Sequence, residues 1–192
     1  MAGGRDGLIV HLIPLASQGI PPSVNLAAAY QMNSGFRPIG DHGGCSPRYN
    51  ADGFVNTSGK YPHSVYTQLF RDGIVEAVQA DVVSTYRDLR IIAGKRVEKE
   101  LLEGIPSYAN ALKALDVSPP VFVLISFFGV GNVSIACGSG TETSLPPPLN
   151  SNVLTLPICV FEDYGNDEFY RVRVKPALDA LWNAGGRHEW PG

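Results

Sequence analysis

Two β-prone runs, Val65-Tyr66-Thr67-Gln68-Leu69-Phe70-Arg71 and Ile74-Val75-Glu76-Ala77-Val78-Gln79, flank the dipeptide Asp72-Gly73. Asp-Gly in that setting favours a two-residue type I′ turn, because both turn positions need positive φ. The spacing predicts a tight hairpin that pairs Arg71 with Ile74 and Phe70 with Val75. No other local feature constrains the fold as strongly.

The rest of the chain supplies elements to pack with that hairpin. Leu8 to Leu15 is β-rich and apolar on both faces, as a buried strand would be, and Pro14 ends its ladder. Val24 to Met32 reads as a short helix with Ser23 as N-cap. From Asn33 to His63 the chain is rich in Gly, Pro, Asn and Ser. It reads as a long surface connection or as short strands joined by turns, with Ala51 to Asn56 one such strand.

Lys95 to Val117 reads as a helix, because Val97, Leu101, Ile105, Tyr108, Leu112 and Leu115 form one apolar stripe. Pro106 kinks or splits it, and Ser118-Pro119-Pro120 stops it. Val121 to Phe128 and Asn132 to Cys137 predict a second, central hairpin around Gly129-Val130-Gly131. A polar loop follows, carrying Pro146-Pro147-Pro148, and then a strand from Leu154 to Phe161 interrupted by Pro157. Asp167 to Ala184 ends in a helix with Leu178, Leu181 and Trp182 on one face, Pro176 near its first turn and Gly185-Gly186 as its stop. Phe169 to Val174 fits either a strand or earlier helix.

At 192 residues and 44% apolar content the chain can bury a core without covalent staples. The expected fold is α+β: an antiparallel or mixed sheet of about five to seven strands with two or three helices on one face. Residues 1–192 form one domain in this reading, with 34–63 a long Gly/Pro-rich connection and 138–152 a Pro-rich loop. A GAF- or profilin-like two-layer arrangement fits the element order as a fold-level analogy.

Several function classes are disfavoured. The net charge of −3 does not suit a dedicated nucleic-acid binder. The densest basic stretch, Arg87, Arg90, Lys95, Arg96 and Lys99, is interleaved with Asp88, Glu98, Glu100 and Glu103 and reads as a solvated helix face. Cys45, Cys137 and Cys159 form no C-x-x-C pair, and a reducing, cytoplasmic compartment fits them. No stretch approaches the roughly 20 apolar residues that span a bilayer. Leu8 to Ala16 reads as a strand rather than an export signal, since Asp6 precedes it and His11 and Pro14 interrupt it.

No G-x-S-x-G, P-loop or H-E-x-x-H string occurs. Gly129-Val130-Gly131 lacks the third glycine of a dinucleotide fingerprint, its place being held by Ser134, and reads as a turn. His11, His42, His63 and His188 show no metal-ligand spacing, and His11 reads as a hydrogen-bonded core residue. Glu162, Asp163, Asp167 and Glu168 read as an acidic surface turn at a helix start. No cofactor and no metal are expected.

One polar string stands out. Arg48-Tyr49-Asn50-Ala51-Asp52-Gly53 combines a guanidinium, an aromatic ring, an amide and a carboxylate in a predicted loop. Asn and Asp also build turns by bonding their own backbone, and glycine supplies positive φ. Turn and ligand contact are both open readings. The candidate contact residues are Arg48, Tyr49, Asn50 and Asp52, with Arg71 at the hairpin tip.

Five strings in one order carry a resemblance: LIVHLIPL at 8–15, RYNADGF at 48–54, YTQLFRDGIVEAV at 66–78, LDVSPPVFVLISFFGV at 115–130 and KPALDALWNAGG at 175–186. Together they resemble the region that follows the AlbA-like DNA-binding domain in bacterial Schlafen/AlbA-type proteins, over about residues 7 to 190. The resemblance implies a non-catalytic accessory or sensor/interaction domain. The chain would then be a fragment of such a protein, the product of a split gene whose partner is an AlbA/Schlafen-like module on a separate chain, or a domain that works alone. The DNA-binding and ATP-binding labels of such proteins belong to that module, which has no counterpart in these residues. Two rival expectations are a small hydrolase or nuclease, whose site assembles from residues 41–63 with His42, Asp52 and a second carboxylate, and a nucleic-acid-binding remnant.

Overall fold

The computed structural model describes residues 6–19, 23–41, 43–58, 65–138 and 146–192. The first half of the chain gives β1 (Gly7–Pro14), α1 (Leu26–Gln31), β2 (Ser46–Asn50), β3 (Gly53–Ser58), β4 (Val65–Phe70), β5 (Val75–Ala80), β6 (Val83–Tyr86) and β7 (Leu89–Ala93). The second half gives α2 (Gly94–Ala114), β8 (Val121–Phe128), β9 (Ser134–Ala136), β10 (Val153–Thr155), β11 (Cys159–Phe161) and α3 (Asp167–Ala184). The fold is α+β.

Eight strands make one antiparallel sheet in the order β10-β8-β1-β5-β4-β3-β2, with β11 also pairing β8. A smaller sheet, β6-β7-β9, joins β6 to β7 antiparallel and β7 to β9 parallel. Alternation along the strands decides which face is covered. On β1, Leu8, Val10 and Leu12 are fully buried, whereas Ile9, His11 and Ile13 are half-buried on the opposite face. The expectation that β1 is buried on both faces is therefore corrected: it is central in the sheet but covered on one side only.

The covered face meets the helices. The stripe predicted on α2 is buried in full, Val97, Leu101, Ile105, Tyr108, Leu112 and Leu115, in one hydrophobic cluster with Val123, Ile125, Phe127, Tyr170, Val174 and Leu178. Ile92 and Ile135 bring the small sheet into the same cluster. Pro106 lies inside α2, which runs on through it rather than splitting. Among the described residues no helix is long and apolar enough to cross a membrane.

The predicted hairpin forms as β4–β5, but its register differs by one residue. Leu69 pairs with Val75, the Phe70 N–H donates to the Ile74 carbonyl at 2.8 Å, and the Gly73 N–H donates to the Phe70 carbonyl at 3.1 Å. The loop thus has three residues, with Gly73 at φ +87 and the Asp72 carboxylate accepting from the Ile74 N–H at 3.1 Å. This register puts Leu69 and Val75, both fully buried, on the core face and turns Phe70 outward. Shifting it by one would exchange Leu69 for Phe70 there, so burial selects the turn. The type I′ geometry falls instead at Arg87-Asp88, with φ of 48 and 64, between Tyr86 and Leu89. Arg87 and Arg90 accordingly sit on a β-hairpin and not on the expected helix face.

Of the two readings of residues 33–63, short strands joined by turns holds over the described residues, as the paired strands β2 and β3. Other expectations change. Helix α1 is shorter than expected and is capped by Asn25, whose side chain accepts from the Ala28 N–H at 3.0 Å, in place of Ser23. The second hairpin does not form. The N–H of Asn132 donates to the Leu149 carbonyl at 2.9 Å, and the Val133 carbonyl accepts from Leu149 at 2.8 Å, so β9 leaves β8 and joins β7.

The run 154–161 becomes two strands. Thr155 opposes Ser126 and Cys159 opposes Val123, so three residues, Pro157 among them, face two on β8 as a bulge. Residues 169–174 are helical, which places Pro176 in the middle of α3 and not near its first turn. The Asn166 side chain caps this helix at the Phe169 N–H, 2.9 Å away, and Gly185 ends it.

Candidate functional site

The register of the sheet sets a largely polar row across the face opposite the helices, with Gln68 and Val55 buried within it. His11 on β1 opposes Glu76 on β5, Glu76 opposes Gln68 on β4, Gln68 opposes Val55 on β3, and Val55 opposes Arg48 on β2. Strands lie about 4.8 Å apart, so these residues follow one line perpendicular to the strands. Gly53, Val55, Thr57, Tyr66 and Phe70 fall on the same face by alternation.

Side-chain bonds tie the row together. His11 Nε2 lies 3.0 Å from Glu76 Oε2, and the Tyr66 hydroxyl donates to Glu76 Oε1 at 2.7 Å. The His11 bond holds the Glu76 carboxyl below its ordinary pKa of 4.5, burial opposes this, and the Tyr66 bond adds to the lowering. Burial and the neighbouring Glu76 carboxylate push the Tyr66 phenol well above its ordinary value, so it remains a donor. Further along, Asn50 Nδ2 donates to Gln68 Oε1 at 2.7 Å, Gln68 Nε2 donates to the Leu69 carbonyl at 3.0 Å, and Asn50 Oδ1 accepts from the Gly53 N–H at 2.8 Å.

These groups border a groove of about 310 Å³ lined by Arg48, Asn50, Asp52, Val55, Thr57, Tyr66, Gln68, Phe70 and Glu76. Three of the five sequence candidates, Arg48, Asn50 and Asp52, therefore converge here. Tyr49 does not: it lies on the other face, its ring stacked on Tyr30 with centroids 5.2 Å apart. Arg71 lies outside the groove lining. Its Nε donates to the Ala51 carbonyl at 3.1 Å and its backbone N–H to the Asp52 carbonyl at 3.1 Å, bracing the β2–β3 turn. The string 48–53 is strand and turn rather than a free loop.

Sequence reasoning missed His11, Tyr66, Gln68 and Glu76 as site residues. His11 is hydrogen-bonded, as expected, but on the open face and not in the core. The available signal was a polar residue at alternating positions of an otherwise apolar strand run.

The site expected around His42 and Asp52 is not assembled by the described residues, since His42 and His63 lie outside them. Among the described residues no group of three or more His, Cys, Asp or Glu side chains could hold a metal ion. The acidic turn is used locally. Glu162 pairs with Arg173 at 3.1 Å, Asp163 accepts from the Tyr164 N–H at 2.7 Å, and Asp167 and Glu168 occupy the first turn of α3.

A larger cavity of about 600 Å³ separates residues 34–41 from α2, but its charges are matched within its own walls. Arg37 pairs with Asp41 at 2.8 Å, Arg96 with Glu100 at 2.8 Å and Lys99 with Glu103 at 3.8 Å. Burial pushes the Asp41 carboxyl up, yet donors from Ser58, the Gly43 N–H at 2.9 Å, Cys45 at 3.2 Å and Arg37 outweigh it and hold the pKa at about 2. Asp41 thereby ties Arg37, Gly43 and Cys45 to Ser58 at the end of β3. Burial, reinforced by that carboxylate, pushes the Cys45 thiol up to about 11. Burial likewise raises Cys137 to about 11. Neither is a thiolate nucleophile near neutral pH.

Comparison of the chain with family models, with curated proteins and with solved structures finds no match.

Proposed function

We propose that this chain is a non-catalytic sensor or interaction domain that works with a bacterial Schlafen/AlbA-like module, in the cytoplasm. One observation carries the reading. The large sheet has its helices on one face, while the other face leaves Ile9, Ile13, Val78, Phe122, Leu124 and Phe128 half-buried around a polar groove. Soluble domains rarely leave a contiguous apolar face of this kind without a partner or ligand for it. The five ordered strings supply the identity of the partner module. Three free cysteines, two of them buried, suit a reducing compartment.

The test is co-purification from a bacterial host that encodes the chain, with the partner identified by mass spectrometry. An AlbA/Schlafen-like module is recovered with the wild-type chain and lost with Leu124→Lys, which places a charge on the open face. Recovery of no such module, with a monomeric mass for the purified chain, overturns the proposal. Salt-dependent binding of DNA or RNA by the chain alone would favour the nucleic-acid reading instead.

A further inference from the structure

The charged groups bordering the sheet-face groove are not equally satisfied. Each oxygen of Glu76 already accepts a bond, from His11 and from Tyr66. The Asn50 and Gln68 amides bond one another and the backbone. Arg48 and Asp52 differ: among the described residues neither side chain has a hydrogen bond or ion pair, and they do not pair with each other. Among the described residues the groove therefore presents one uncommitted cation and one uncommitted anion, and its accessible apolar surface comes from the half-buried rings of Phe70 and Tyr66, with Val55 buried beneath them.

That pattern selects a ligand class. A guanidinium recognises a carboxylate through paired N–H donors, and a carboxylate recognises an ammonium group. A volume of about 310 Å³ is at the lower end for ligand sites and suits a small molecule rather than a nucleotide. We infer that the groove binds a free α-amino acid with an apolar side chain, its carboxylate on Arg48, its ammonium on Asp52 and its side chain on the rings of Phe70 and Tyr66. This rests on the reading of the open face as a sensing surface and gives that surface a ligand. The His11–Glu76–Tyr66 set then acts as a fixed wall that holds the Tyr66 ring in place.

Isothermal titration of the purified chain with L-leucine and L-phenylalanine tests the inference. 4-Methylpentanoate and 3-methylbutylamine serve as probes that lack the ammonium and the carboxylate of leucine, respectively. The amino acids bind, and each one-charge analogue binds at least about tenfold more weakly. Arg48→Ala abolishes the advantage of leucine over the amine, and Asp52→Asn abolishes its advantage over the acid. Both side chains are exposed, so an unchanged melting midpoint verifies that the variants fold.

Absence of binding up to about 10 mM amino acid overturns the inference. So does equal binding of leucine and either analogue. If amino acids fail to bind but the AlbA/Schlafen-like module still co-purifies and is lost with Leu124→Lys, the ligand class is wrong and the interaction reading stands. If the module is not recovered either, both fail.

Discussion

His11 and Glu76, 65 positions apart, face each other across β1 and β5 and share a 3.0 Å hydrogen bond on the side of the sheet that carries no helix. Glu76 also accepts from Tyr66, so three strand residues act as one polar unit in a largely apolar face.

Glu76→Ala removes both bonds and leaves the Tyr66 hydroxyl without its acceptor. Hydrogen bonds to a charged group contribute about 1.5–3 kcal/mol, and partial exposure lowers this, so a loss of about 1–2 kcal/mol is expected in urea unfolding at pH 7. The folded pKa of Glu76 lies below the ordinary 4.5. Its stabilisation is therefore present above that value and fades as pH falls through the folded pKa. The wild-type advantage over Glu76→Gln should shrink accordingly in acid; a difference that grows in acid would contradict the charged-Glu76 assignment.

Asp41→Asn breaks the hub that joins Arg37, Gly43, Cys45 and Ser58. A folded pKa of about 2 against an ordinary 3.8 means that the carboxylate stabilises the fold above about pH 4 and loses that role as pH falls to 2. The variant should lose about 1–3 kcal/mol at pH 7 and little near pH 2. Parallel denaturation curves across that range measure it, and a gap that persists at pH 2 would rule out the ionised hub.

Cys45 and Cys137, both pushed up to about 11, should react slowly with iodoacetamide at pH 8 in the native state. Modification should accelerate when denaturant opens the chain, and mass spectrometry of timed samples follows both sites. Fast native-state labelling of Cys137 would contradict its burial between Gly94 and Gly185.

Gly53 is at φ +150, and a Cβ there would stand 2.3 Å from the Leu69 carbonyl oxygen. Gly53→Ala should cost about 2 kcal/mol or more, since both the backbone region and the close approach exclude a side chain. It should also displace Asn50, which bonds the Gly53 N–H, and so disturb the groove. A melting midpoint equal to wild type would refute the packing of β3 against β4.

Elements were legible where periodicity is local. The α2 stripe from Val97 to Leu115 repeats every three or four residues, and all of its members are buried. The site was legible in part. Arg48, Asn50 and Asp52 stood out as polar residues near a turn, whereas Tyr49 shared their string and alternation sent it to the opposite face. His11 and Glu76 carried no joint signal, because their strand partnership spans half a hundred residues and more of intervening chain.

Hairpin, strand and amphipathic helix segments of an α+β fold follow from local sequence, since side-chain alternation and helical stripes are properties of neighbouring residues. Strand partners and register follow from long-range packing. Leu69, not Phe70, lies beside Val75 because the core accepts one face of β4, and β9 pairs with β7 while β10 takes the edge of β8. Burial over the whole sheet fixes those choices, and the same choices bring His11, Glu76, Gln68 and Arg48 into one row.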